Sequence, residues 1–513
     1  MSQAANSVDL PPAPPPPDEP PWHRLNPLVL IIHPLRELIR YIPVLVGLFF
    51  FGRSGDTQQW ISLTVVVALV LRGVLHWATA RYRITGEQVE LRSGVVFRKA
   101  RTVPRDRLRT VDITAEWHHR LVGLCALKIG TGQRDKGLIL DGVTRSTAER
   151  LRTELLRRPS AERPRTPASA VTSPAEEVLA SMDRRWVRFA PFTFSGVAVV
   201  GALAGAAYQI ARELHVDPVS LGPLRQLATW ASDTSAVLVV PAGVLALLVI
   251  VTAASVLGYV LSYWNFLVTR EGSGTLHIRH GLLTTRSVSI EESRLRGVQI
   301  KEALPLRLVG GGRCAAVVTG LRTGRGDERG GGLLLPAAPL GKAHEVAARV
   351  LRETNDPTTA GLRRHPKAAA RRRVIRALGW ALLLVVASWL GGLVDAVPSW
   401  LPGATLVLLP LSVLVGLDRY RSLGHTLAGG YLVSRHGSLT RHTVALRGDG
   451  IIGWRLHASF FQRRAGLMTV VATTAAGRGG CHVTDMAAAE AVPLVGAAMP
   501  GLVEQFVEPT AQR

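Results

Sequence analysis

Six strongly apolar runs, set in three close pairs, constrain this chain more than any other feature. They cover roughly 36–52, 60–80, 188–211, 235–264, 374–394 and 399–417. A helix needs about 20 mostly apolar residues to cross the hydrocarbon core of a bilayer, and it satisfies all of its own backbone groups there. Most of the runs meet that length. The first is the shortest, with a clean apolar part from Tyr41 to Gly52, and Arg36 and Arg40 would snorkel at its end. A run as long as Ser235–Trp264 does not read as the buried helix of a soluble protein. The expectation is six membrane-spanning helices.

The net charge of +24 follows the same division. Residues 81–189 hold 23 Lys and Arg against 13 acids, and residues 265–373 hold 20 against 9, whereas the connections inside the pairs are short and nearly neutral. The positive-inside rule therefore assigns both termini and all three large segments to the cytoplasm, with the protein multi-pass in the cell membrane. The basic balance is a topology signal first and an invitation to anionic partners second, and no nucleic-acid partner is expected. The three cysteines, Cys125, Cys314 and Cys481, fall one to each large segment without a disulfide or zinc spacing. Reduced thiols are expected. The proline-rich lead "PPAPPPPDEPP" at 11–21 reads as disordered.

The large segments repeat one another. Gly94, Gly281 and Gly437 align, and sixteen residues on stand Thr110, Gly297 and Gly453. Twenty-nine residues on stand Gly123, Gly310 and Gly466, each preceded three residues earlier by a basic side chain, Arg120, Arg307 and Arg463. Between these come Trp117, Leu304 and Phe460, all large and apolar. Agreement at so many fixed offsets marks an internal repeat. Within each copy, short β-branched runs broken by glycine and polar residues predict hairpins, as in "YRITGEQVELRSGVV", "FLVTREGSGTLHIRHGLL" and "YLVSRHGSLTRHTVAL". Each copy closes on a helical segment, the first opened by a Ser146…Glu149 capping-box pattern.

The stretch "RLRTVDITAEWHHRLVGLCALKIGTG" at 107–132 resembles the core of bacterial pleckstrin-homology-like (PH-like) domains of the YdbS/YdbT type. The second copy matches less well after Gly310. The third keeps Gln462–Arg463 and Gly466–Leu467 but loses the opening arginine. With a helix pair before each domain, nearly the whole chain resembles membrane proteins of that family. The resemblance implies a cytoplasmic seven-stranded fold with one helix, held at the membrane. The expected architecture is an α+β membrane protein with six transmembrane helices in three pairs, each pair followed by a PH-like barrel or sandwich with a C-terminal helix. The expected order is a disordered lead 1–34, helix pairs 35–80, 186–264 and 374–418, domains 81–157, 265–354 and 419–513, and linkers 158–185 and 355–373.

No catalytic signature stands out. There is no P-loop, HExxH, GxSxG or CxxC, and the glycine clusters at 310–314 and 329–333 lack the strand-then-helix setting of a dinucleotide site. His118 and His119 read as strand neighbours pointing to opposite faces, which separates them as metal ligands unless they lie in a turn. An enzyme is not expected, and no cofactor is implied. A transporter or channel would carry ionisable groups deep in its spans, but only Arg72 and His76 approach this, toward a helix end. It stands as the alternative to a membrane scaffold or sensor whose domains bind a membrane protein partner or anionic lipid headgroups, with oligomerisation left open. In this sequence Arg107, Arg109, Val111 and Ile113 would share one strand face, matched by Arg294, Arg296, Val298 and Ile300, and by Gly450, Ile452, Trp454 and Leu456. The apolar end of that face reads as core. The candidate headgroup or partner contacts are Arg107, Arg109, Arg120, Arg294, Arg296, Arg307 and Arg463.

Overall fold

The computed structural model describes residues 21–29, 80–94, 99–105, 110–130, 138–156, 176–213, 222–320 and 332–500, less a few single positions, together with some helical positions between 64 and 79. In the first unit β1 (His23–Arg24), β2 (Arg81–Ile84), β3 (Gln88–Ser93) and β4 (Lys99–Pro104) form one antiparallel sheet. After them come β5 (Thr110–Ala115), helix α1 (Trp117–Leu121), β6 (Leu124–Gly130), β7 (Leu138–Thr144) and helix α2 (Arg145–Leu156). The second unit runs β8 (Glu177–Ser181), α3 (Ser195–Glu213), α4 (Gly222–Asp233), α5 (Ala236–Tyr263), β9 (Leu267–Glu271), β10 (Thr275–His280), β11 (Thr285–Glu291), β12 (Leu295–Ala303), α6 (Leu304–Leu308), β13 (Gly311–Val318), β14 (Leu333–Pro339) and α7 (Leu340–Leu351). The third runs α8 (Lys367–Leu393), α9 (Trp400–Thr405), α10 (Leu408–Arg421), β15 (Gly424–Ala428), β16 (Tyr431–Gly437), β17 (Thr440–Arg447), β18 (Gly453–His457), α11 (Phe460–Arg464), β19 (Leu467–Thr473), β20 (Gly480–Ala487) and α12 (Ala488–Ala498).

The repeated glycines have a backbone cause. Gly94, Gly281 and Gly437 all sit near φ +110°, at the turn between the second and third strands of their units. An added Cβ at Gly437 would lie 2.0 Å from the Thr440 carbonyl oxygen, so only glycine fits. Gly123, Gly310 and Gly466 take φ +71°, +69° and +64° just past the short helices α1, α6 and α11, the left-handed position where such helices end.

Every unit packs its first three strands, its next three and its closing helix around one core. In the first unit Val89 and Val103 meet Val111, Leu127 and Leu140, with Leu151 and Leu155 of α2 closing the top. The third repeats this with Leu432 and Leu446, Val470 and Val483, and Ala491 and Val495. Full burial of such a side chain contributes about 1.5–3 kcal/mol. The sandwich expected from the sequence is present.

The structure corrects several boundaries. The lead and the first linker are not wholly irregular. His23–Arg24 pairs with β2, and Glu177–Ser181 pairs with β9. In the third unit an isolated bridge between Arg363 and His425 stands in the same place. In the first two units the preceding segment thus supplies a seventh, edge strand, and in the second the helices are inserted between edge and sheet. Lys367 already begins a helix, so Arg371–Arg373 belong to its first two turns rather than to a linker. The connection within the second pair contains the helix Gly222–Asp233. Thr144 Oγ1 accepts the Thr147 N–H at 3.4 Å, so α2 starts one residue before Ser146, which lies inside the first turn.

Among the described residues three helices are long and apolar enough to cross a membrane: Ala236–Tyr263, Lys367–Leu393 and Trp400–Arg421. A fourth is counted if Arg184–Thr193 and Ser195–Gln209, bent by 58°, form one span. Their apolar flanks are bare, Val237 being 79% exposed, as suits a lipid-facing surface. The expected first pair lies largely outside the described residues, so three or four spans are seen where six were expected.

Candidate functional site

The sheets do not stop at unit boundaries. β5 of the first unit pairs antiparallel with β11 of the second, making one seven-stranded sheet. β12 of the second pairs with β17 of the third, making a six-stranded sheet. Each internal seam therefore joins the second half of one domain to the first half of the next. Gly297 is needed at one of them, because a Cβ there would lie 2.0 Å from the Ala445 carbonyl oxygen.

Three of the seven candidate arginines, Arg120, Arg296 and Arg307, cross these seams. Arg120, in α1, donates to the carbonyl of Leu282, in the second unit. Leu282 itself donates its N–H to Leu261 near the end of α5. Arg307, in α6, donates to Asp418 near the end of α10 at 2.8 Å, and the other carboxylate oxygen accepts from Ser438 at 2.9 Å. Leu282 and Ser438 each directly follow the anchor glycine of their unit. The repeated arginine thus makes the same connection twice, from a short helix to the next unit's hairpin and helix end. Arg296 reaches Asp449 of the third unit at 3.5 Å. Arg294 lies in a 3-10 turn ahead of β12 rather than on the strand, and pairs with Glu291 at 2.9 Å in its own unit. Arg463 is exposed on α11. Arg107 and Arg109 lie outside the described residues.

The third domain is fixed to its helix pair by a buried cluster that the sequence reading did not single out. Asp485, 2% exposed, accepts from Arg372 at 2.6 Å, Arg373 at 3.1 Å and Gln462 at 2.8 Å. His365 Nδ1 donates to the Asp485 carbonyl at 3.0 Å, and its other ring nitrogen lies 3.1 Å from His425 Nδ1. Burial holds the His425 pKa down to about 4, with the His365 and Arg363 charges adding to it. Ser459 and Gln462 form a reciprocal capping box on α11, whose S-x-x-Q spacing was readable in the sequence.

His118 and His119 occupy a helical turn, not a strand. With Glu116 they place three ligand atoms within 4.8 Å of one another. His119 Nε2 lies 2.8 Å from Asp141. His119 aligns with Gln462 of the third unit and with apolar Leu306 of the second, and like Gln462 it reaches an aspartate on the penultimate element of its unit, although Asp141 stands one register position before the place of Asp485.

A polar cavity of about 440 Å³ opens beside the first seam, lined among others by Arg120, Arg145, Arg152, Arg279, Glu149 and Glu271. His277 at its wall lies 2.6 Å from Glu271 and 2.9 Å from Ser289 Oγ, and burial lowers its pKa. Cys125, also lining it, donates to the Val143 carbonyl, and burial pushes its thiol up to about 11, the opposite of an activated nucleophile. Its opposing charges and neutral histidine suit holding neighbouring units together.

A transmembrane chain built of three fused PH-like domains is what this geometry defines. The family model for the bacterial PH domain matches residues 38–159, 223–354 and 375–496, and the chain belongs to that family. It is similar to the UPF0699 transmembrane protein YdbT of Bacillus subtilis (strain 168), 23% identical over 473 residues, which cover 87% of this chain and 91% of that one. No solved structure matches the chain.

Proposed function

We propose that this protein is a membrane-integral scaffold or sensor whose cytoplasmic PH-like domains act as one platform that binds a membrane protein partner and anionic lipid headgroups. The observation that carries this reading is the use of the repeated arginines. Arg120 and Arg307 tie one domain to the next at its membrane-adjacent end, so the domains form a continuous slab rather than separate modules on flexible tethers. A second feature supports contact with the headgroup zone. The short helices expose Trp117 and Leu121, Leu308, and Phe460 and Phe461, and the last carries Arg463 and Arg464 beside the aromatic pair. Apolar tips flanked by arginine suit the boundary between acyl chains and phosphates, where each nearby cation contributes about 1 kcal/mol. The orientation follows from the positive-inside rule, and the role we propose is envelope maintenance or resistance to membrane-active compounds.

Crosslinking the tagged full chain in its native membrane tests the proposal. A membrane protein partner captured reproducibly, and lost in an Arg463→Glu, Arg464→Glu variant that still inserts, is the expected outcome. Movement of ions or a solute by the purified chain in liposomes would instead support a transporter and overturn the scaffold.

A further inference from the structure

The two internal seams obey one register. Val111 faces Ser289, and Val298 faces Ala445. Each of those partners stands eight residues after the anchor glycine of its unit. Thr114 faces Arg286 and Lys301 faces His442, each five residues after the same glycine. The chain therefore uses the same joint twice, from the fourth strand of one domain to the third strand of the next. Both joints are buried, with Ser289 at 1% and Ala445 at 0% exposure.

Each end of the row leaves half of that joint bare. Among the described residues β18 pairs with β19 alone. Leu456 is 39% exposed where its equivalent Ile300 is 1%, and Ile452 and Arg463 are exposed as well. Among the described residues β4 pairs with β3 alone, and its Ala100, Arg101 and Thr102 are exposed. Thr102 holds the position that Ser289 and Ala445 hold in the buried seams. The bare tail and the bare head are complementary halves of a joint the chain already makes, and both belong to every copy.

We infer that β18 of one copy pairs antiparallel with β4 of a second copy, extending the row of domains head to tail along the membrane. This rests on the scaffold reading only in taking the domains as one slab. The internal register sets Gly453 opposite Val103, Trp454 opposite Thr102 and Leu456 opposite Ala100. Both copies are held in one membrane by their own helices, which raises their effective concentration. Exposed strand edges pair readily unless blunted by charge. Here the register sets Arg455 opposite Arg101, where the internal seams have Asp112 opposite Val288 and Gln299 opposite Val444. Like charges directly opposite weaken a pair. The joint between copies is therefore weaker than the internal ones and is strengthened by salt.

Disulfide crosslinking of two differently tagged full-length copies in one membrane tests the register. One copy carries Leu456→Cys and the other Ala100→Cys. The native Cys125, Cys314 and Cys481 are buried and leave the background low. A disulfide joining both tags is expected, several-fold stronger than that of Leu456→Cys with the off-register but equally exposed Thr102→Cys. Adding Arg101→Glu to the Ala100→Cys copy should raise its yield further. Absence of a mixed-tag disulfide, equal yields at both registers, or a disulfide formed only when both cysteines share one chain would overturn the inference. None of these results bears on whether the platform binds a partner, which the partner-capture experiment reads separately.

Discussion

Replacing Asp485 by asparagine should uncouple the third domain from its helix pair. Its carboxylate is the shared counter-ion of Arg372 and Arg373, whose side chains are 17% and 11% exposed. Asparagine nearly preserves shape and one acceptor oxygen, and it tolerates the left-handed backbone at this residue, φ +60°. The change therefore removes charge and little else. Taking away one partner of a buried ion pair costs about 3–5 kcal/mol, and the retained hydrogen bonding puts the expected loss near the lower end, about 3 kcal/mol. Asp485→Ala should lose about 1 kcal/mol more through backbone strain. The assay is denaturant unfolding of the full chain in nanodiscs, read with hydrogen exchange over the first turns of α8. Exchange there should quicken before global unfolding. Arg372→Gln combined with Asp485→Asn should cost less than the two changes added, because the guanidinium left unpaired is gone. An Asn variant within about 0.5 kcal/mol of the parent, the range of an ordinary surface change, would refute the reasoning.

Three further outcomes follow from the same geometry. The His365–His425 pair is held neutral by burial, so the unfolded chain takes up more protons than the folded one below the ordinary histidine range. Stability from His425 should be fully present above about pH 6.5 and fall as the pH drops toward 4, by on the order of 2 kcal/mol, and a His425→Gln variant should flatten that slope in unfolding curves taken across this range. Gly437→Ala should destabilise by about 2–3 kcal/mol because of its φ and the 2.0 Å approach to Thr440, whereas Gly310→Ala, with open space around it, should cost about 1 kcal/mol, both measured by the same unfolding assay. The thiols of Cys125, Cys314 and Cys481 are buried and raised in pKa, so maleimide should label none in the folded chain and all three once it is unfolded.

What could be read from sequence here is what a local backbone demand writes into it. The anchor glycines repeat because a left-handed turn admits nothing else, and the apolar helices declare themselves by length. The five-residue helix Trp117–Leu121 is too short to show a period, so His118 and His119 passed for strand residues. The edge strands ahead of the helix pairs hide in proline-rich and polar linkers, because a short edge strand pairs by backbone and needs few apolar side chains. The seams were invisible for a different reason. Strand propensity says that Val298 lies on a strand but not which strand lies beside it. The partners of the arginines, Asp418 and Asp449, come from different elements of the third unit and follow no shared offset. The repeat did reveal Arg120 and Arg307 as equivalent, and their equivalence proves to be a joint between domains.

Residue-resolved hydrogen exchange of the full chain, one copy to a nanodisc, tests most directly whether the three domains form one continuous slab. Amides directed across the seams from β5, β11, β12 and β17 should exchange as slowly as those inside each domain, while the outward amides of β18 and β4 exchange fast. Fast exchange along β12 and β17, matching that of β18, would mean that the domains stand apart and would contradict the account.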